Sequence, residues 1–195
     1  MSRNVAILIF PEVELLDFAG PFEVFTAASM VVKDEAPFNV YTVAASSEPI
    51  QTRYGLTVVP HYSLADCPLP HIVVVPGGRG SRAVMRDAAM LDWLRAVDAQ
   101  TELTTSVCTG SLVLGAAGLL DGLRATTHYG SYDELAAAAP NTEVVRGVRY
   151  VDNGRIITSA GVQAGMDMSL HVVARLHGEE IAHQTAHYIE YQWTP

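Results

Sequence analysis

Five short runs of β-branched and aliphatic residues constrain this chain most: Val5–Phe10 (VAILIF), Phe38–Ala44 (FNVYTVA), Ile72–Pro76 (IVVVP), Leu103–Val107 (LTTSV) and Arg155–Thr158 (RIIT). Several are continuously apolar, not alternating, which is the pattern of parallel strands covered on both faces. Longer helix-like segments lie between them. Pro21–Met30 opens on a proline, a residue suited to a first helical turn. Asp87–Gln100, Thr109–Ala117, Ser131–Ala138, Ala164–His177 and, after the stop at Gly178, Glu179–Tyr191 follow. Alternating strand and helix predicts an α/β fold with a doubly wound, mostly parallel sheet flanked by helices. Gln51–Pro60 reads as a small β-hairpin. Asp152-Asn153-Gly154 is a turn between Val144–Val151 and Arg155–Thr158. With 195 residues and no linker or repeat, one domain over 1–195 is expected.

The chemistry concentrates in Thr104-Thr105-Ser106-Val107-Cys108-Thr109-Gly110-Ser111, where a strand ends, one residue turns and a helix of small residues begins. A nucleophile elbow needs small residues two before and two after the nucleophile, because strand and helix nearly touch there. Ser106 and Gly110 hold those positions. Cys108 would then stand at the carboxyl end of the sheet, where open α/β folds place their sites. The helix N-terminus would face its sulfur, and that environment favours a reactive thiolate. The other reading is a small buried filler. Cys67 has no comparable context and is expected to be inert; two cysteines are too few for a disulfide framework and suit a reducing, cytoplasmic setting.

Three further segments bear on the site. In Val73-Val74-Val75-Pro76-Gly77-Gly78-Arg79-Gly80, glycines after a central strand let backbone amides approach a ligand, and the Gly78 and Thr109 N–H groups could form an oxyanion pocket. The run lacks the Lys-Ser/Thr ending of a phosphate loop. Asp17, in Glu14-Leu15-Leu16-Asp17-Phe18-Ala19-Gly20-Pro21, is either a helix cap or an acid held among apolar neighbours. His128 ends a short strand and either orients or shuttles a proton or is a structural histidine; with Gly77 it is a possible pocket residue. His183 and His187 share a helix face, but Gln184 stands where a zincin motif needs Glu, so no metal and no cofactor are expected.

These segments together resemble the ThiJ/PfpI superfamily, related in fold to class I glutamine amidotransferases. The resemblance runs through Ile9-Phe10-Pro11-Glu12-Val13, Leu16 to Pro21, Pro76-Gly77-Gly78 and the Cys108 elbow. Ser106 to Leu120, Arg124 to His128 and Thr158 to Asp167 are most similar to its isocyanide hydratase branch. The same elbow occurs in sensor domains of AraC-type regulators. The resemblance implies a flavodoxin-like fold, Cys108 as nucleophile, Asp17 as acid/base, and Thr109 as supporting hydroxyl and backbone donor. It also implies a homodimer acting on a small molecule. PfpI-type proteases carry histidine directly after the cysteine, where this chain has Thr109, which argues against proteolysis.

Two like charges about 4 Å apart at an effective dielectric of about 20 repel by roughly 4 kcal/mol, or ~3 pKa units. An Asp17–Cys108 couple should therefore keep one proton at neutral pH. The sequence-based expectation puts it on Asp17, leaving a thiolate beside a carboxylic acid. Adding water to an isocyanide to give an N-substituted formamide, through a Cys108 thioimidate, is what the resemblance implies for that arrangement. Another cysteine hydrolase or glyoxalase-type activity, and a non-enzymatic redox or ligand sensor, are the alternatives. A net charge of −9 with scattered basic residues opposes a nucleic-acid partner, and no apolar run reaches the roughly 18 residues of a membrane span.

Overall fold

The computed structural model describes residues 2–32 and 36–194. Its strands are β1 (Arg3–Leu8), β2 (Phe38–Ala44), β3 (Ile50–Gln51), β4 (Thr57–Val58), β5 (Tyr62–Ser63), β6 (Ile72–Val75), β7 (Leu103–Val107), β8 (Arg124–Ala125), β9 (Glu143–Val144), β10 (Tyr150–Asp152) and β11 (Ile156–Ser159). The helices are α1 (Leu15–Val31), α2 (Ser81–Val84), α3 (Ala88–Asp98), α4 (Gly110–Ala116), α5 (Tyr132–Ala138), α6 (Ala164–His177) and α7 (Glu179–Tyr188).

Seven strands form one sheet in the order β10-β11-β7-β6-β1-β2-β5. All neighbours run parallel except the β10–β11 hairpin at the edge. The five apolar runs supply the sheet's five central members. In β1 and β6 the residues Val5 to Leu8 and Ile72 to Val75 are wholly inaccessible, as strands with helices on both faces must be. β7 is richer in hydroxyls, and its two threonines are satisfied internally: Thr105 Oγ1 donates to the Val73 carbonyl at 3.0 Å and Thr104 Oγ1 to Asp98 Oδ1 at 2.7 Å, while the buried Ser106 Oγ has no partner among the described residues. After β1 the chain moves to β2 on one side, and only later to β6 on the other. The strand order thus reverses between β1 and β6, and a crevice opens there at the carboxyl ends.

Three expectations need correction. The first helix begins at Leu15 and not at Pro21, which lies in its interior. Leu15 to Gly20 are compatible with helix, and Pro21 removes only the bond that would reach the Asp17 carbonyl one turn back. The stretch Val144–Val151 is not one strand. Gly147, at φ +72°, breaks it between β9, which pairs with β8, and β10, which pairs with β11. The last helix stops at Tyr188, short of Tyr191. The β3–β4 hairpin and the turn at Asn153-Gly154 form where their turn residues place them.

Candidate active site

Cys108 is the hinge between β7 and α4. Its φ is +57°, a left-handed conformation uncommon for any residue but glycine. The surroundings over-determine that conformation. The Cys108 N–H donates to the Ser159 and Ala160 carbonyls, at 3.2 and 3.1 Å. Its own carbonyl accepts from Ser111 Oγ at 3.1 Å and Thr127 Oγ1 at 2.9 Å. Gly110 fits the elbow because a Cβ there would collide with the Val75 carbonyl oxygen. Strand and helix are that close, which is why a small residue is required.

Asp17 comes to the same place from the first turn of α1. Although acidic and early in a helix, it caps nothing on α1: Oδ2 accepts from the Gly77 N–H at 3.0 Å and Oδ1 from the Val162 N–H at 3.2 Å. The carboxyl is fully buried. Burial is the strongest influence on it and lifts its pKa to about 7, against the pull of those two amides and of the Cys108 thiol. A buried carboxyl beside a thiol, in a crevice, has the mark of a functional group.

The thiolate expected from sequence is not what the site favours. Burial first, and the Asp17 carboxylate second, push the Cys108 thiol up to about 12. The Thr109 amide and hydroxyl pull the other way and do not prevail. Cys108 is only 6% exposed, and α4 is too short a helix to outweigh the lost hydration of a sulfur anion. Both shifts run upward, and the direction of the Cys108 shift favours keeping the couple's proton on sulfur. The arrangement is a thiol held against its base.

Gly77 and Gly78 also stand at the site, but the two amides have different work. Gly77 binds Asp17, as above. The Gly78 N–H donates to Thr109 Oγ1 at 3.1 Å, so in this state it is not a free oxyanion donor, as its sequence position suggested. Ser81 Oγ also donates to Thr109 Oγ1, at 3.0 Å. The Thr109 backbone amide is turned toward the sulfur. His128 lines the cavity, but its Nδ1 accepts from the Gly130 N–H at 3.2 Å, the cap of a short helical turn. Among the described residues it makes no hydrogen bond to Cys108 or Asp17.

A cavity of about 580 Å³ opens over the sulfur, lined by Cys108, Thr109, Val162, His128, Tyr54 and a set of charged residues. Sequence reasoning missed three contributors. Ser81 and Thr127 act through hydroxyls whose direction only the fold fixes. Val162 acts through its backbone, at φ +52°, which no side-chain pattern signals. Cys67 is half-buried and its thiol is raised, chiefly by burial. His183 packs against Trp193, and no group of three or more metal-binding side chains assembles among the described residues. No described helix is long and apolar enough to cross a membrane.

A model of the DJ-1/PfpI family matches residues 3–175. An isonitrile hydratase of Pseudomonas putida is 37% identical over 197 residues, covering 100% of this chain and 81% of that protein. The HTH-type transcriptional regulator CdhR of Pseudomonas aeruginosa is 31% identical over 187 residues, covering 95% of this chain but only 54% of its own length. The crystal structure of a ThiJ/PfpI family protein from Pseudomonas syringae superposes with a TM-score of 0.89 at 34% identity, covering 100% of this chain and 77% of that one.

Proposed function

The chain belongs to the DJ-1/PfpI family, and on that premise we propose that it is a cysteine enzyme that adds water to isocyanides. The observation that carries this reading is the buried Asp17–Cys108 couple, a nucleophile paired with a carboxyl whose pKa is raised to about 7. An isocyanide carbon accepts a nucleophile and must gain a proton at the same atom. A thiol beside a carboxylate supplies both.

Asp17 takes the thiol proton as Sγ bonds to the isocyanide carbon, then delivers it to that carbon. The product is a thioimidate on Cys108, and the S–H bond has been added across one carbon. Water then attacks the thioimidate carbon with Asp17 as base. One water proton goes to the nitrogen, the carbon–sulfur bond breaks, the other proton returns to sulfur, and an N-substituted formamide leaves. A carboxyl titrating near 7 is suited to both the donating and the accepting step. Thr109 supports the sulfur through its amide as negative charge passes over it.

The likeness to the P. putida isonitrile hydratase over the whole chain supports the substrate class. A homodimer in solution is part of this proposal, to be checked by sedimentation. A ligand-sensing role is the second reading, favoured by the likeness to the regulator CdhR. Burial of the sulfur and its raised pKa weigh against peroxide sensing, because oxidation follows exposure and thiolate character. The direct test is formamide production from a simple alkyl isocyanide. Turnover by the wild type that vanishes in Cys108→Ala supports the reading, and no turnover by the wild type refutes it.

A further inference from the structure

The chain has 21 acidic residues against 12 basic ones, of which eleven are arginines. Nine of these stand within salt-bridge distance of a carboxylate. Among the described residues Arg79 and Arg86 are the two that do not. Arg86 lies outside the catalytic cavity, whereas Arg79 lines it together with Cys108 and Thr109. In so acidic a molecule an arginine left without a carboxylate, at the mouth of a reactive site, calls for a partner from outside.

The charge of the cavity wall points the same way. Arg53, Arg79 and Arg82 line the cavity with two carboxylates, Glu12 and Glu14, so in a chain of net charge −9 this lining holds more arginines than carboxylates. Arg53 is tied to Glu14 at 3.0 Å, and Arg82 to Glu134 at 2.8 Å. Among the described residues neither Glu12 nor any other carboxylate stands within salt-bridge distance of Arg79. Arg79 also follows directly on Gly77 and Gly78, whose amides hold Asp17 and Thr109. A guanidinium so placed presents a planar fork of donors that fits a carboxylate with two parallel hydrogen bonds.

We propose that the substrate carries a carboxylate and that Arg79 receives it, making Arg79 a specificity residue of the site. The choice of an isocyanide as the reacting group rests on the function proposed above; the anion seat does not.

The test reads the seat through Cys108 itself. Iodoacetate and iodoacetamide alkylate the same sulfur with the same leaving group and differ in charge. Peptide mass spectrometry separates Cys108 from Cys67. The rate ratio of iodoacetate to iodoacetamide at Cys108 should exceed that of a small free thiol by about tenfold, a difference of roughly 1.4 kcal/mol. Arg79→Gln should lower that ratio about tenfold, Arg79→Lys should keep most of it, and Arg86→Gln should leave it alone. A ratio no higher than the free thiol's, or one that Arg79→Gln does not move, overturns the proposal. In a second arm, the wild type should hydrate isocyanoacetate with a kcat/KM about tenfold above that for its methyl ester. Turnover of both at equal efficiency overturns the carboxylate preference. No turnover of either, with the labelling ratio intact, refutes the hydratase reading and leaves the anion seat supported.

Discussion

Asp17 Oδ1 accepts a 3.2 Å hydrogen bond from the N–H of Val162, a residue 145 positions further along the chain that holds a φ of +52°. A β-branched residue in the left-handed region is strained, at a cost of about 1–3 kcal/mol. The conformation persists because it turns one amide toward the carboxyl while the side chain lines the cavity. Asp17 is therefore held by two loops, one after β6 and one after β11, both at the carboxyl end of the sheet.

Replacing Val162 with Asn should stabilise the fold by about 1 kcal/mol, since Asn tolerates the left-handed region far better and still has an N–H for Asp17. Equilibrium urea unfolding measures this. A loss of stability would mean that packing of the Val162 methyl groups outweighs the backbone strain.

Gly77→Ala should do the reverse. A Cβ at Gly77 would lie 2.5 Å from the Thr109 nitrogen, 2.6 Å from Thr109 Oγ1 and 2.9 Å from Asp17 Oδ2. These are the groups around the sulfur, so the methyl forces the site apart. Overpacking of this kind costs about 1–3 kcal/mol. Formamide production should fall at least about a hundredfold, because sub-ångström placement governs such chemistry. Near-normal turnover would show that the Gly77 loop can move aside freely.

Much of this was legible in the sequence, and the exceptions share a cause. Val5 to Leu8 and Ile72 to Val75 read as buried parallel strands because a strand covered on both faces has no polar face to betray it. The elbow read clearly because Ser106 and Gly110 answer a steric demand set by local geometry. The start of α1 was misread at Pro21 because propensity rules see the proline and not the packing that holds a helix through it. The ionisation of Cys108 was hard to read because a helix N-terminus is visible in sequence, whereas the depth of burial that opposes it is not. Val162 was invisible as a partner of Asp17 because its contribution is a backbone amide aimed by an unusual φ.

The raised pKa of Asp17 makes stability depend on pH. Its folded value, about 7, lies above the ordinary 3.8, so the folded state binds this proton more tightly than the unfolded chain. That stabilisation is complete below about pH 4 and is lost as pH rises through about 7, at a limiting slope of about 1.4 kcal/mol per pH unit. Asp17→Asn lacks the titration. Its unfolding free energy should lose less than the wild type's between pH 4 and 7, although one backbone N–H now faces an amide nitrogen at every pH. Parallel slopes for the two proteins would place the Asp17 pKa near its ordinary value.

The same substitution should divide the two roles of the couple. With the thiol raised to about 12, the thiolate is a minor species at pH 8, and alkylation of Cys108 by iodoacetamide should be slow. Its rate should stay far below that of a free thiolate throughout pH 7 to 9. The Asp17 carboxylate is the second-largest cause of that elevation, so Asp17→Asn should speed alkylation about tenfold or more at fixed pH. Hydration of an isocyanide should nonetheless fall to a trace, because the freed sulfur has lost the group that carries its proton to carbon. A wild-type rate that already matches that of a free thiolate below pH 8 would put the negative charge on sulfur at rest. In that case Asp17 would begin the reaction as the acid, and the sulfur would need no base.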